Sequence, residues 1–373
     1  MTLAKLAPIR TLHLWLPGYA ASRLRDVRDA DRLTLARVWL MFADHFEPWW
    51  HGADDRTALD RVHWWTRRWP AIAARHADFS GRPPCYTFFY PEEQYQPAAL
   101  DALSRLSQSG VGDVEVHLHH DRDTESAFVD RVGRFVDRLH HRHALLRRDE
   151  SGVRFGFIHG NWALDNSLPD GQACGLDNEI TLLRRLGCYA DFTLPSAPSP
   201  AQTRIVNTIY WATDDPRRPK SHDSGVPATP GVRHAGDLLM IPGPLTLNLR
   251  EWRRPLVPRI EIGELGGHCR TTRHRVALWR RTAPRIGRDL FLKLFAHGAP
   301  EKNAVPLLAD DGELDRTLRY VANDCRASGA SLHFVSAWQM RVAVDAVCRG
   351  VDPVRAVDEA RRPGRIAHVG AAS

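Results

Sequence analysis

Leu33-Thr-Leu-Ala-Arg-Val-Trp-Leu-Met-Phe42 runs directly into Ala43-Asp44-His45-Phe46-Glu47-Pro48, and this junction decides how the rest of the chain is read. The first part is short and apolar without a two-residue alternation, as expected of a strand buried on both faces. The second part concentrates polar chemistry where that strand ends.

Working outward, the same pairing of strand and helix recurs. Helical spacing over 55–76 carries Trp64, Trp65 and Trp69, and Tyr86-Thr-Phe-Phe-Tyr90 reads as a second strand. A helix over 97–109, a strand over Val114–His119 and a helical pattern from Thr124 to His143 follow. Further strands are expected at Phe155–Ile158, Tyr189–Thr193, Leu238–Ile241, Arg259–Ile262, Leu290–Phe295 and Leu332–Val335, with helices over Glu179–Leu186 and 337–348. Strands alternating with helices predict an α/β fold with a parallel sheet. Seven to eight such units predict a distorted (β/α) barrel in one domain with long loops. The boundaries read as an N-terminal extension over 1–35, the barrel over 36–350 and a tail over 351–373.

The 373 residues, 43% hydrophobic and 25% charged, describe a globular chain able to bury a large core. A net charge of +7 favours polyanions. The arginines, however, occur as scattered pairs such as Arg67-Arg68 and Arg280-Arg281 with no nucleic-acid module, so nucleic acid is not an expected partner. A basic rim for an acidic or lipid-linked substrate, with peripheral membrane contact, is compatible with this charge. Six dispersed cysteines without a Cys-x-x-Cys pair point to a reducing, cytoplasmic setting. Charged residues between the N-terminal apolar patches leave no continuous signal-peptide core or membrane span.

In a barrel of this kind functional groups gather at the C-terminal ends of strands. Asp44 and His45 end the first strand, and His117-Leu-His-His-Asp-Arg-Asp123 ends the third. His159 and Asn161 end the next, Asp191 the one after, and His297 a late one. Imidazoles converging with carboxylates suit a borderline divalent ion, zinc first. Within the third cluster, His119 paired with Asp123 is the expected ligand combination, because a residue four positions on, past the turn, returns to the same point.

Phe42-Ala-Asp-His45 resembles the Phe-Asp-Asp-Gly motif of polysaccharide deacetylases. Glu115-Val-His-Leu-His119 with Asp123 resembles their second motif, in which two histidines four residues apart bind metal. Phe155 to Trp162, Tyr189 to Thr193, and Leu294-Phe-Ala-His297 stand in the places of the remaining three motifs, in order, over about 36–340. The resemblance implies a metal-dependent hydrolase that removes acetyl from an N-acetylated sugar or polysaccharide, with water as nucleophile and His297 as general acid oriented by Asp191. Asp44, His45, His119 and Asp123 are the implied metal residues. Ala43 stands where the family has its catalytic aspartate. Read one position along, Asp44 becomes the base and His45 a ligand, and both registers remain open.

His159, Asn161 and Trp162 are expected to position the sugar, since sugars are held by stacking and amide hydrogen bonds. His222, with Lys220 and Asp223, lies on a long polar excursion over 214–235 that can reach across the mouth. Two rivals remain. One is a metal-dependent hydrolase of another bond on the same barrel, either a glycoside hydrolase using Glu47 with Asp44 or Asp191 or another C-N hydrolase, and the other is a glycan-binding homologue without activity.

Overall fold

The apolar run becomes an interior strand of one large sheet. The structure, a computed structural model, describes residues 11–30, 34–232, 236–254 and 257–361. The start of the expected run at Leu33 and the tail beyond 361 lie outside the described residues.

In chain order the strands of the large sheet are β1 (Arg37–His45), β2 (Tyr86–Pro91), β3 (Gly112–Leu118), β4 (Arg147–Asp149), β5 (Gly152–His159), β6 (Cys188–Asp191), β7 (Tyr210–Ala212), β8 (Gly225–Pro227) and β9 (Leu238–Met240). After the hairpin β10 (Thr246–Arg254) and β11 (Val257–Glu261) come β12 (Glu264–Leu265), β13 (Arg285–Ile286), β14 (Asp289–Ala296) and β15 (Ser331–Phe334). The helices are α1 (Leu12–Ala30), α2 (Asp55–Ala73), α3 (Pro97–Gln108), α4 (Glu125–Asp137), α5 (Glu179–Arg185), α6 (Arg273–Thr282), α7 (Glu301–Leu308), α8 (Glu313–Ser328), α9 (Ala337–Arg349) and α10 (Pro353–Ala360).

The sheet is mostly parallel, ordered β12-β14-β1-β2-β3-β5-β6-β9-β7-β8. β1 pairs with β14 along its length, from Arg37 opposite Asp289 to Asp44 opposite Ala296. Its other edge is shared, with β15 along Arg37–Leu40 and β2 along Phe42–His45. Arg37 fixes this register through a two-pronged bond to Asp289 at 2.5 and 2.8 Å, and Trp39 adds a third donor at 2.8 Å.

Both faces of β1 are buried. Val38, Leu40 and Phe42 face the helical layer with Val62, Trp65 and Trp69 of α2, Leu103 of α3, Phe128 of α4 and Leu318 of α8. Trp39, Met41 and Ala43 face the other way, toward Trp338, Met340 and Val344 of α9. The tryptophans of α2 are core residues for the reason their spacing gives: 62, 65, 69 and 72 form one stripe. Asp54 starts that helix by accepting the Thr57 amide, and a capping box between Ser336 and Gln339 starts α9. Lys293 of β14 donates its buried amine to the carbonyls of Phe192 and, at 2.6 Å, Leu194 beyond β6. Two distant parts of the sheet are thereby linked.

Several expectations need correction. The sheet is mixed rather than all parallel, since β4, β7 and β13 pair antiparallel to their neighbours. The strand expected near Arg259–Ile262 belongs to the separate β10–β11 hairpin. The helix expected to reach His143 leaves α geometry at Arg138 and ends in a π turn over Arg138–Arg142 that seats Leu139 in the core. The N-terminal extension contains α1, whose Trp15 packs against Ala197, Val206 and Leu245. All six cysteines are buried and free. No helix among the described residues is long and apolar enough to cross a membrane.

Candidate metal centre

Because β1, β3, β5 and β14 run parallel, their C-terminal ends open on one side of the sheet, and the histidines collect there. On β3, Val114, Val116 and Leu118 point into the helical layer, so alternation turns Glu115 and His117 to the face shared by His45. His117 is fully buried, and its Nδ1–H donates to the Ile158 carbonyl at 2.8 Å. That bond leaves Nε2 as the nitrogen aimed at Oε1 of Glu47, 3.1 Å away.

Glu47 is the hub of this cluster. Its Oε1 also lies 3.3 Å from Nε2 of His119, while its buried Oε2 has no hydrogen-bond partner. Ligand atoms of His45, Glu47 and His117 all lie within 4.8 Å of one another. The His45 ring centre is 5.1 Å from that of His117 and 4.6 Å from that of His297. Trp162 packs near both His45 and His297, and Trp50 lies against His297. His119 is tied at Nδ1 to Glu93 at 2.5 Å and borders an open cleft of about 680 Å³ with Asp121, Arg131, Asn161 and Gln172.

The electrostatics fit a site built around a positive charge. Burial, with His297 and His117 close by, pulls His45 well below the ordinary histidine value. Burial would raise the Glu47 carboxyl, but the His117 and His119 rings against it hold it down at about 2. Burial lowers His119, and the bonds to Glu47 and Glu93 outweigh this and push it up to about 10. His297 is lowered, mainly by burial. Two imidazoles and a carboxylate with a free buried oxygen form a donor set suited to a divalent ion.

A second group lies behind the first. His120, His159, Cys174 and Glu179 are all buried, within 4.8 Å of one another, and can hold a metal ion. A third, Glu264 with His268 and Cys269, is partly open to solvent.

Of the residues expected from sequence, His45, His119, His297 and Trp162 come together here, and Asn161 borders the cleft. Asp44 turns to the opposite face of β1, where it accepts from the Tyr86 hydroxyl and the Gly298 amide, and burial raises its carboxyl to about 7. Asp123 does not meet His119 as a ligand partner. Its carboxylate lies beside Arg131 at 3.3 Å and His120 at 3.4 Å. Asp191 is occupied by the Thr193 amide and hydroxyl, and no hydrogen bond joins it to His297 among the described residues. His159 belongs to the second group. His222 is buried apart, with neither ring nitrogen hydrogen-bonded.

Glu47, His117, His120, Cys174 and Glu179 are the site residues that sequence reasoning passed over as ligands. Glu47 and His117 carried a signal, since each is two residues along the chain from a residue already singled out, and His120 adjoins His119. Cys174 and Glu179 carried none, because they lie far along the chain from His120. No family model matches this chain, and no curated protein matches it.

Proposed function

We propose that this chain is a metal-dependent hydrolase that removes an acyl group, acetyl in the first place, from an N-acylated sugar. The single observation behind this is the buried Glu47 carboxylate, with Oε2 unpartnered and ring nitrogens of His45 and His117 beside it, at the strand ends where the cleft opens. His45, Glu47 and His117 hold the ion, and two imidazoles with one carboxylate favour Zn2+. A bound divalent cation supplies Lewis acidity that polarises an amide carbonyl and acidifies water.

The chain's own groups do the rest. His119, oriented through Nδ1 by Glu93 and held protonated by Glu47 and Glu93, steadies the negative charge that builds on the amide oxygen. His297, against His45 and held neutral by burial, takes a proton from water and hands it to the leaving nitrogen. Trp162 and Trp50 wall the site and offer faces for a sugar ring. Asn161 and Arg131 on the cleft border bind polar or acidic substituents, including those of a lipid-linked glycan. The link from Lys293 to the segment after β6 supports a sheet curled into a distorted barrel.

The test is acetate release from N-acetylated amino-sugar oligomers, by the protein after chelation and after Zn2+ is restored, with His117→Ala alongside. Acetate that depends on both the metal and His117 supports the proposal. New reducing ends without acetate would make it a glycoside hydrolase, and saturable binding without turnover a glycan-binding protein.

A further inference from the structure

The group behind the site draws on four separate stretches: His120 just after β3, His159 at the end of β5, Cys174 in the segment that follows, and Glu179 at the first position of α5. We infer that these four residues form a closed Zn2+ centre with a structural role, which pins the 160–178 segment to the sheet. This stands independently of the hydrolase proposal.

Hydrogen bonding alone leaves the group unsatisfied. His159 donates Nδ1–H to the Gly160 carbonyl at 2.6 Å, so its Nε2 carries a lone pair. That nitrogen is buried without a partner and faces Oε1 of Glu179 at 3.4 Å. Nε2 of His120 faces the same oxygen at 3.1 Å. Two ring nitrogens and a carboxylate oxygen thus converge on one buried point, an arrangement that a cation satisfies without leaving acceptors opposed.

The surroundings are those of ligands held in place from outside. Asp123 lies 3.4 Å from Nδ1 of His120, and the Asp165 amide donates to Oε2 of Glu179 at 2.7 Å. The Asn166 amide donates to the Cys174 sulfur at 3.4 Å, and that sulfur lies 3.4 Å from Oε2 of Glu179. Sulfur with imidazole selects zinc over magnesium or calcium, which prefer all-oxygen sets. Four protein donors, none exposed, leave no coordination position for water or substrate, which marks the centre as structural.

The segment has reason to need a pin. Six of its non-glycine residues, Asn161, Trp162, Asp165, Asn166, Asp170 and Ala173, hold φ between 50 and 59°. It also carries Trp162 onto His45 and His297, and Asp165 anchors the 214–223 excursion through Ser221 at 2.6 Å.

The deciding experiment is cobalt substitution of the full chain. Only the second and third groups contain cysteine, so a thiolate-to-cobalt charge-transfer band in the near ultraviolet separates them from the Glu47 site. The band is expected in the wild type, is expected to persist in His117→Ala and Cys269→Ala, and should be lost in Cys174→Ala. Zinc content should fall by about one equivalent per chain in Cys174→Ala, with greater protease cleavage within 160–178. A wild type without the band, or a band that survives Cys174→Ala, would overturn the inference. The wild-type spectrum keeps the test decisive even if the variant does not fold.

Discussion

Asp44 and His45 are adjacent in the chain and serve opposite sides of the sheet. The Asp44 carboxylate accepts from Tyr86 at 2.8 Å and Gly298 at 2.7 Å on the helical side, while the His45 ring stands 4.6 Å from His297 on the other. His45→Ala is therefore expected to lower bound metal, measured by elemental analysis. Asp44→Asn should leave metal content unchanged and cost about 1–3 kcal/mol of stability, the penalty for disturbing a buried hydrogen-bonded group.

Glu93 touches the site only through His119. Glu93→Gln should retain metal and reduce acetate release about 10- to 100-fold, the usual effect of removing a carboxylate that orients a histidine. Steady-state kinetics should show the loss in kcat, with KM little changed.

His297→Ala should also retain metal, and should lose about 10²- to 10⁴-fold in kcat, the range for one positioned proton donor. Substrates with more acidic leaving amines should recover part of that loss.

The buried pair of Glu261 and Arg275 is a test of stability rather than activity. Arg275 meets both carboxylate oxygens at 2.7 and 2.8 Å, and Trp279 and the Gly263 amide complete the shell. Glu261→Gln leaves a buried guanidinium without its counter-charge and should cost about 3–5 kcal/mol in denaturant titrations. Burial would raise the Glu261 carboxyl, but the bonds from Arg275 outweigh this and hold it below the ordinary glutamate value. The folded state therefore binds this proton less readily than the unfolded chain. The contribution is complete above the unfolded value of about 4.3 and is lost as pH falls through the folded one. Acid titration of wild type against the variant should show the two curves converging below about pH 4.

The parts of the fold legible in sequence were those with a strong period or a sharp end. The α2 stripe, the apolar run of β1 and its polar terminus all declared themselves. The orientation of β1 did not, because Trp39, Met41 and Ala43 are as apolar as Val38, Leu40 and Phe42. A strand buried on both faces gives no sign of which side the next polar residue will take, and so Asp44 and His45 could not be told apart. His117 was passed over in favour of His119 for a related reason. His117 is the residue still within the strand and under its alternation, and the chain turns away after Leu118. The short antiparallel strands β7, β8 and β13 have two or three residues each, too few to show a period. The group containing Cys174 is assembled by tertiary contact alone.

The shared edge of β1 also governs the order in which the protein can be made. Its first half is closed by residues 331–334 on one side, and its whole length by 289–296 on the other. A nascent chain therefore exposes this apolar strand until residues 289–296 and 331–334 have left the ribosome. Pairings across some 250 residues form late and slowly, and a chain halted before β14 presents an unpaired edge to its neighbours. Arrival of β14 and β15 is thus the step that closes both edges of β1.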